Sequence, residues 1–347
     1  MSHVGRTKKA ALAAVAGLLA GTVLAVSPAQ AEDPLFLPWT DLLPSFTDGY
    51  DPSSENDCKS GKIQCVDSVI HEMDRRFEPL ADECDHNSMF SLTYLRTTER
   101  YRAAATMAGF FSDPGFINHQ DAVFARYYFD AWDDYRHGRL DEVSPSWQIA
   151  FGQADGREVS GSGNLFLGMS AHVNRDLPMV LADIGLVKPD GSSRKPDHDK
   201  VNQFLNTVIE PLFDEAAARF DPTIDDSQID GTTMDETGTL QLLVAWREQA
   251  WRNAERLVNA TSAAERSAVV ADIERQAEIE ANLLVVATGY SRLNVQAALD
   301  DLAALGASEE EVAQATLDRV QNVANGLLGS LFSSGADRRD RHCAANG

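Results

Sequence analysis

Gly168-Met169-Ser170-Ala171-His172-Val173-Asn174-Arg175-Asp176-Leu177-Pro178 is the stretch on which the reading of this chain turns. His172 and Asp176 are four residues apart, so on a helix they stack on one face. At 100° per residue both fall inside an apolar arc that also holds Leu165, Met169 and Met179. An ionisable pair placed there needs partners, because desolvating it alone is costly. Pro178 removes a backbone donor and predicts a kink beside the pair. Arg175 and Asn174 point off the arc, so Arg175 either faces water or steadies a substrate anion.

Working outward, the apolar spacing is helical throughout. Val66, Val69, Ile70, Met73, Phe77 and Leu80 form one stripe. Met89 to Phe111 predicts a second helix, stopped by Ser112-Asp113-Pro114-Gly115. Phe116 to Tyr135 predicts a third, with Phe124, Ala125, Tyr128, Trp132 and Tyr135 on one face. Leu165 to about Leu186 is a long apolar helix, and Val201, Phe204, Leu205, Val208 and Leu212 mark another. Leu240 to Val258, a segment ending at Ala287, and Val312 to Phe332 follow. The expected fold is all-α, a multi-helix bundle with an extended N-terminal arm.

Two more polar groups interrupt apolar stripes. Asp121 stands one turn before Phe124 and Ala125, and His198 stands one turn before Val201. Asp197, after Pro196, is the expected N-cap of its helix. His172, Asp176, Asp121 and His198 together make a candidate set of ligands for a divalent ion, zinc or iron/manganese. The plainer alternative is a hydrogen-bonded structural pair at 172 and 176, with Asp121 and His198 in ordinary helix-end roles.

The first 31 residues read as a secretory signal peptide. Arg6, Lys8 and Lys9 precede the apolar run Ala10 to Val26, and Ser27-Pro28-Ala29-Gln30-Ala31 supplies an A-x-A cleavage site. Residues 32–64 form the extended arm, 65–333 the helical domain, and 334–347 a polar tail. The acidic loop 221–238 is the candidate subdivision. No later segment resembles a membrane span. The expected location is extracellular.

The 347 residues carry a formal charge of −23, which becomes −26 once the three basic residues of the leader are removed. That balance excludes a nucleic-acid partner and docking on anionic lipid. Four cysteines, Cys58, Cys65, Cys84 and Cys343, in an exported chain imply two disulfides. Three pairings are open, and loop length favours Cys58–Cys65 with Cys84–Cys343. Several familiar motifs fail. His71-Glu72-Met73-Asp74-Arg75 lacks a second His, and Gly161-Ser162-Gly163 lacks the Lys-Ser/Thr of a phosphate loop. Asp226-x-Gln228-x-Asp230-Gly231 begins like a calcium loop but carries Thr237 where Glu is needed.

The phrase from Gly168 to Pro178 resembles the G-M-x-A-H-x-N-R-D-L-P signature of an uncharacterised actinobacterial family of secreted helical proteins. Tyr127-Tyr128-Phe129-Asp130-Ala131 and Asp199-Lys200-Val201-Asn202 resemble further parts of it. More distantly, His172-x-x-x-Asp176 is similar to the central helix of zinc-dependent phospholipase C and P1-type nucleases. Those are secreted all-helical enzymes that continue with a Pro and then a His. Here Pro178 comes one residue early and no His follows before His198.

Two functional readings follow. The first is a secreted metal-dependent hydrolase acting on a phosphoester or lipid-like substrate, with His172, Asp176 and Arg175 as catalytic residues. The second is a non-enzymatic helical binding or structural protein with a small-molecule or lipid-like ligand.

Overall fold

The computed structural model describes residues 49–224, 236–324 and 335–347. The expected leader, the first part of the arm and the calcium-like phrase at 226–231 lie outside the described residues. Within them the chain is all-helical, and its β-type pairing is confined to isolated bridges such as Val159 with Gly289.

Helix α1 (Ile63–Asp82) buries the expected stripe, from Val66 through Met73 and Phe77 to Leu80. Ahead of it, the part of the arm described from residue 49 is a run of turns, closed by the Cys58–Cys65 disulfide. Helix α2 (Ser88–Ala105) packs along α1. It ends six residues short of the expected Phe111, and the chain turns through Gly109 at φ +74°. Glycine accepts that left-handed conformation without steric cost.

Helix α3 (Pro114–Arg136) starts two residues before the expected Phe116, within the phrase read as the stop of the helix before it. The Asp113 side chain accepts from Phe116 N at 3.3 Å, and Pro114 occupies the first turn, where its missing donor is not needed. Helix α4 (Pro145–Asp155) was not among the expected elements. Its signal is nonetheless present, since Trp147, Ala150, Phe151 and Ala154 are buried at helical spacing after Ser144-Pro145.

The long apolar helix is α5 (Gly161–Ser170), a π-helical segment (Ala171–Asp176) and α6 (Leu177–Ile184). The helix expected from Val201 through Leu212 is instead two, α7 (Lys195–Leu205) and α8 (Ile209–Arg219). Pro211 has no N–H for the Thr207 carbonyl, so one continuous helix would lose a bond there. The Thr207 hydroxyl donates to Phe204 O at 2.7 Å instead. Asp197 is not the cap of α7. It lies in the first turn and accepts from Ser112 N at 2.8 Å, Ser112 Oγ at 2.6 Å and Asp113 N at 3.0 Å. It thereby ties α7 to the start of α3.

Helices α9 (Glu236–Asn259) and α10 (Ala263–Thr288) pack against the π segment. Helices α11 (Arg292–Leu305) and α12 (Glu309–Ala324) cover the far side of α10. The tail is ordered as α13 (Gly335–Asn346), joined to the body by Cys84–Cys343. Both disulfides are those that loop length favours. One hydrophobic core takes in residues from Cys58 to Cys343 and lies on both sides of the acidic loop. No described helix is long and apolar enough to cross a membrane.

A cavity beside the π turn

The π turn follows from local chemistry. Ser160 caps α5 by accepting from Gly163 N at 3.1 Å. Gly168 lets Phe90 close onto the helix, since a Cβ there would stand 2.2 Å from the Phe90 ring. Pro178 then offers no N–H to the turn before it, and the backbone widens over Ala171–Asp176. The kink that Pro178 predicts takes this form.

The widened turn presents His172 and Asp176 to each other. His172 Nδ1 donates to Asp176 Oδ2 at 2.9 Å. Trp147 Nε1 donates to the same oxygen at 2.9 Å, and Arg175 donates to Oδ1 at 3.0 Å. Asp176 is fully buried and His172 is 3 % exposed. With Nδ1 spent on Asp176, Nε2 carries the lone pair, and it has no partner in the protein. Burial holds the imidazole below its ordinary pKa, against the pull of Asp176, so it is a neutral base at pH 7.

His172 faces a cavity of about 120 Å³ that opens toward solvent. Its walls come from α2, α3, the end of α5, the π turn, α6, α7 and α9. Most of the lining is apolar, including Phe90, Phe124, Leu177, Phe204 and Leu243. Three polar atoms in that lining are buried without a partner: His172 Nε2, Asp121 Oδ2 and Tyr94 Oη. Burial pushes the Asp121 carboxyl up to about 8, so it holds its proton at neutral pH. Burial raises the Tyr94 phenol as well, with the Asp121 and Asp176 charges adding to it. The wall therefore offers a base and an acid, each in its reactive form.

The fold brings His172 and Asp121 to this cavity, with Asp176 directly behind the imidazole. Arg175 does not line it. Its side chain is 23 % exposed, so it is partly in water as well as paired. It is clamped between Asp176 and Glu274 Oε1, the latter at 2.8 Å. His198 also stands behind the wall, bonded to Arg247. Among the described residues no three His, Cys, Asp or Glu side chains gather in a group able to hold a metal ion. The ligand set His172, Asp176, Asp121 and His198 does not form one, because Asp176 is committed to His172, Trp147 and Arg175. Trp147, Tyr94 and Arg247 were not anticipated. Arg247 carried the same signal as His172, an ionisable group on a stripe running through Leu243, Ala250, Trp251 and Ala254.

No curated protein and no solved structure matches the chain. One family does match, over residues 66–287, more than half of the length. That span runs from the first buried stripe to the end of α10 and contains every residue of the cavity wall. The chain belongs to the DUF5995 family, a family of unknown function.

Proposed function

We propose that the cavity carries out acid–base hydrolysis of an ester in a small, lipid-like molecule. In this reading water attacks the ester carbon while His172 Nε2 takes its proton. Asp176 steadies the resulting imidazolium. Asp121 gives its proton to the departing oxygen, and the Tyr94 hydroxyl donates to the oxyanion as it forms. The ester and water become an acid and an alcohol. Solvent then returns the proton from His172 to Asp121.

The observation that carries this reading is the trio of buried, unpartnered polar atoms in an otherwise apolar wall. Such atoms are costly unless a ligand or water meets them. The choice of a lipid-like or phosphoester substrate rests only on the short sequence resemblance of His172-x-x-x-Asp176 to secreted phospholipase C and P1-type nucleases. Because their metal shell is not assembled here, the proposal assigns the water activation to His172. Secretion belongs to the same proposal, and two disulfides are compatible with it.

The test is hydrolysis of a series of p-nitrophenyl esters by the purified protein. His172→Ala is expected to lower kcat/KM by about 10²-fold or more. The pH profile should rise below pH 6.5 as His172 loses its proton and fall near 8 as Asp121 does. Turnover unaffected by His172→Ala defeats the proposal. The second reading is a binding protein, favoured by the aromatic and aliphatic lining and the lack of a Ser or Cys nucleophile in it. Retention of a ligand with no turnover of any ester would select it.

A further inference from the structure

Arg247 reaches the cavity wall from α9 and is 6 % exposed. Its Nε donates to Asn202 Oδ1 at 2.8 Å and its Nη2 to the His198 carbonyl at 2.7 Å. Both acceptors are neutral, and among the described residues no hydrogen-bond acceptor is found for Nη1. The acid whose charge is felt there, Asp199, is itself paired with Lys195 at 2.7 Å. A buried guanidinium without a counter-ion is expensive.

The group is also held in a fixed attitude. His198 Nε2 donates to the Arg247 carbonyl at 3.2 Å, which leaves Nδ1 as a lone pair 3.4 Å from Nη2. Trp251 packs on the imidazole with ring centroids 5.2 Å apart. The guanidinium is thus anchored on two sides with one nitrogen unused. That nitrogen belongs to a planar fork suited to carboxylate or phosphate. Arg247 and Asp121 both line the cavity. Burial alone accounts for the raised Asp121 carboxyl, with no contribution from Arg247. Much of the remaining wall is apolar and includes Phe204, Leu243 and Leu177.

We infer that the cavity takes an organic anion, a short apolar body ending in a carboxylate or phosphate, with the anionic head on Arg247 and the body directed toward His172. This rests on the reading of the cavity as a ligand site and names the class of molecule it admits. The anion supplies the missing counter-charge, and the apolar body covers the lining. Arg247→Lys would keep the charge but lose the fork.

Calorimetric titration with hexanoate, hexanamide and pentyl phosphate at pH 7 tests it on the unaltered protein. Hexanoate or pentyl phosphate is expected to bind at least tenfold more tightly than hexanamide, the neutral analogue. The tighter of the two anions identifies the head group. Arg247→Gln is expected to remove that preference and leave hexanamide binding unchanged, while Arg247→Lys keeps part of it. Equal binding of hexanoate, pentyl phosphate and hexanamide overturns the inference and leaves the ligand site standing. Binding of none of the three, with His172-dependent ester turnover intact, also overturns it alone. Binding of none together with no turnover overturns both readings. If Arg247→Gln does not fold, the comparison of anions with hexanamide on the unaltered protein still decides.

Discussion

Phe124 lies flat on the imidazole of His172, with ring centroids 3.5 Å apart and planes 6° from parallel. The tether to Asp176 fixes the ring from one edge and the Phe124 face fixes its plane, so Nε2 can point only into the cavity. Tyr94 closes the other side edge-on, with ring centroids 4.6 Å from His172. The base is therefore oriented before any ligand arrives, and preorganisation of this kind is where acid–base sites draw much of their rate.

Replacing Phe124 with Leu should let water reach the imidazole. Desolvation is the largest cause of its lowered pKa, so that pKa should climb toward the ordinary value near 6.5. An NMR titration of the His172 ring nitrogens reads this directly. An unchanged titration would mean that Phe124 does not keep solvent out.

Trp147→Phe should destabilise the fold by about 1–3 kcal/mol, since it removes one of the donors to a fully buried carboxylate. Phe lacks the pyrrole part of the buried indole, so a small cavity adds to the loss. Urea denaturation with an unchanged m-value measures it. A loss well under that range would show that Arg175 and His172 alone satisfy Asp176.

Stability should pass through a maximum near pH 6–7. His86, His172 and His198 are buried with lowered pKa values, His86 to about 2. Their unfolded forms take up protons below about 6.5 while the folded forms do not, so stability falls as pH drops through that value. Asp121 acts in the opposite sense. Its folded pKa of about 8 lies above the unfolded value of 3.8, so stability declines as pH rises between the two. Asp121→Asn should therefore raise the melting temperature more at pH 8.5 than at pH 5. A shift equal at both pH values would place the carboxyl in water.

Removing the Cys84–Cys343 bridge, as Cys84→Ser with Cys343→Ser, should cost several kcal/mol, up to about 5, because it closes a loop spanning a sequence separation of 259. The loss should begin at α13. Arg339 there is 3 % exposed, with Nη1 on Asn164 Oδ1 at 2.5 Å. His342 Nε2 adds bonds to α8 carbonyls at 3.0 and 2.9 Å. Limited proteolysis should cut within 335–347 first. Equal resistance with and without the bridge would show that these side-chain contacts suffice.

What the sequence by itself determined is what a single helix can express. The period of the apolar residues placed α1, α3 and the apolar helix through His172. The spacing of four put His172 and Asp176 on one face, and Pro178 marked where that helix would deform. The Ser112-Asp113-Pro114-Gly115 phrase marked the break before α3, and loop length favoured the disulfide pairing. All of these depend on neighbours within a few turns, or on chain length alone.

Only the tertiary structure decided which atoms meet. Trp147 reaches Asp176 across 29 residues, Arg175 reaches Glu274 across 99, and Asp197 reaches Ser112 across 85. The stripe pattern says that Asp121, His172, His198 and Arg247 turn inward, but not toward what. Packing sends the first two and Arg247 to a cavity and sets His198 behind Arg247. A periodic pattern encodes direction about one helix axis. The crossing of seven segments around a cavity is set by how their side chains interlock, which no single stretch of chain contains.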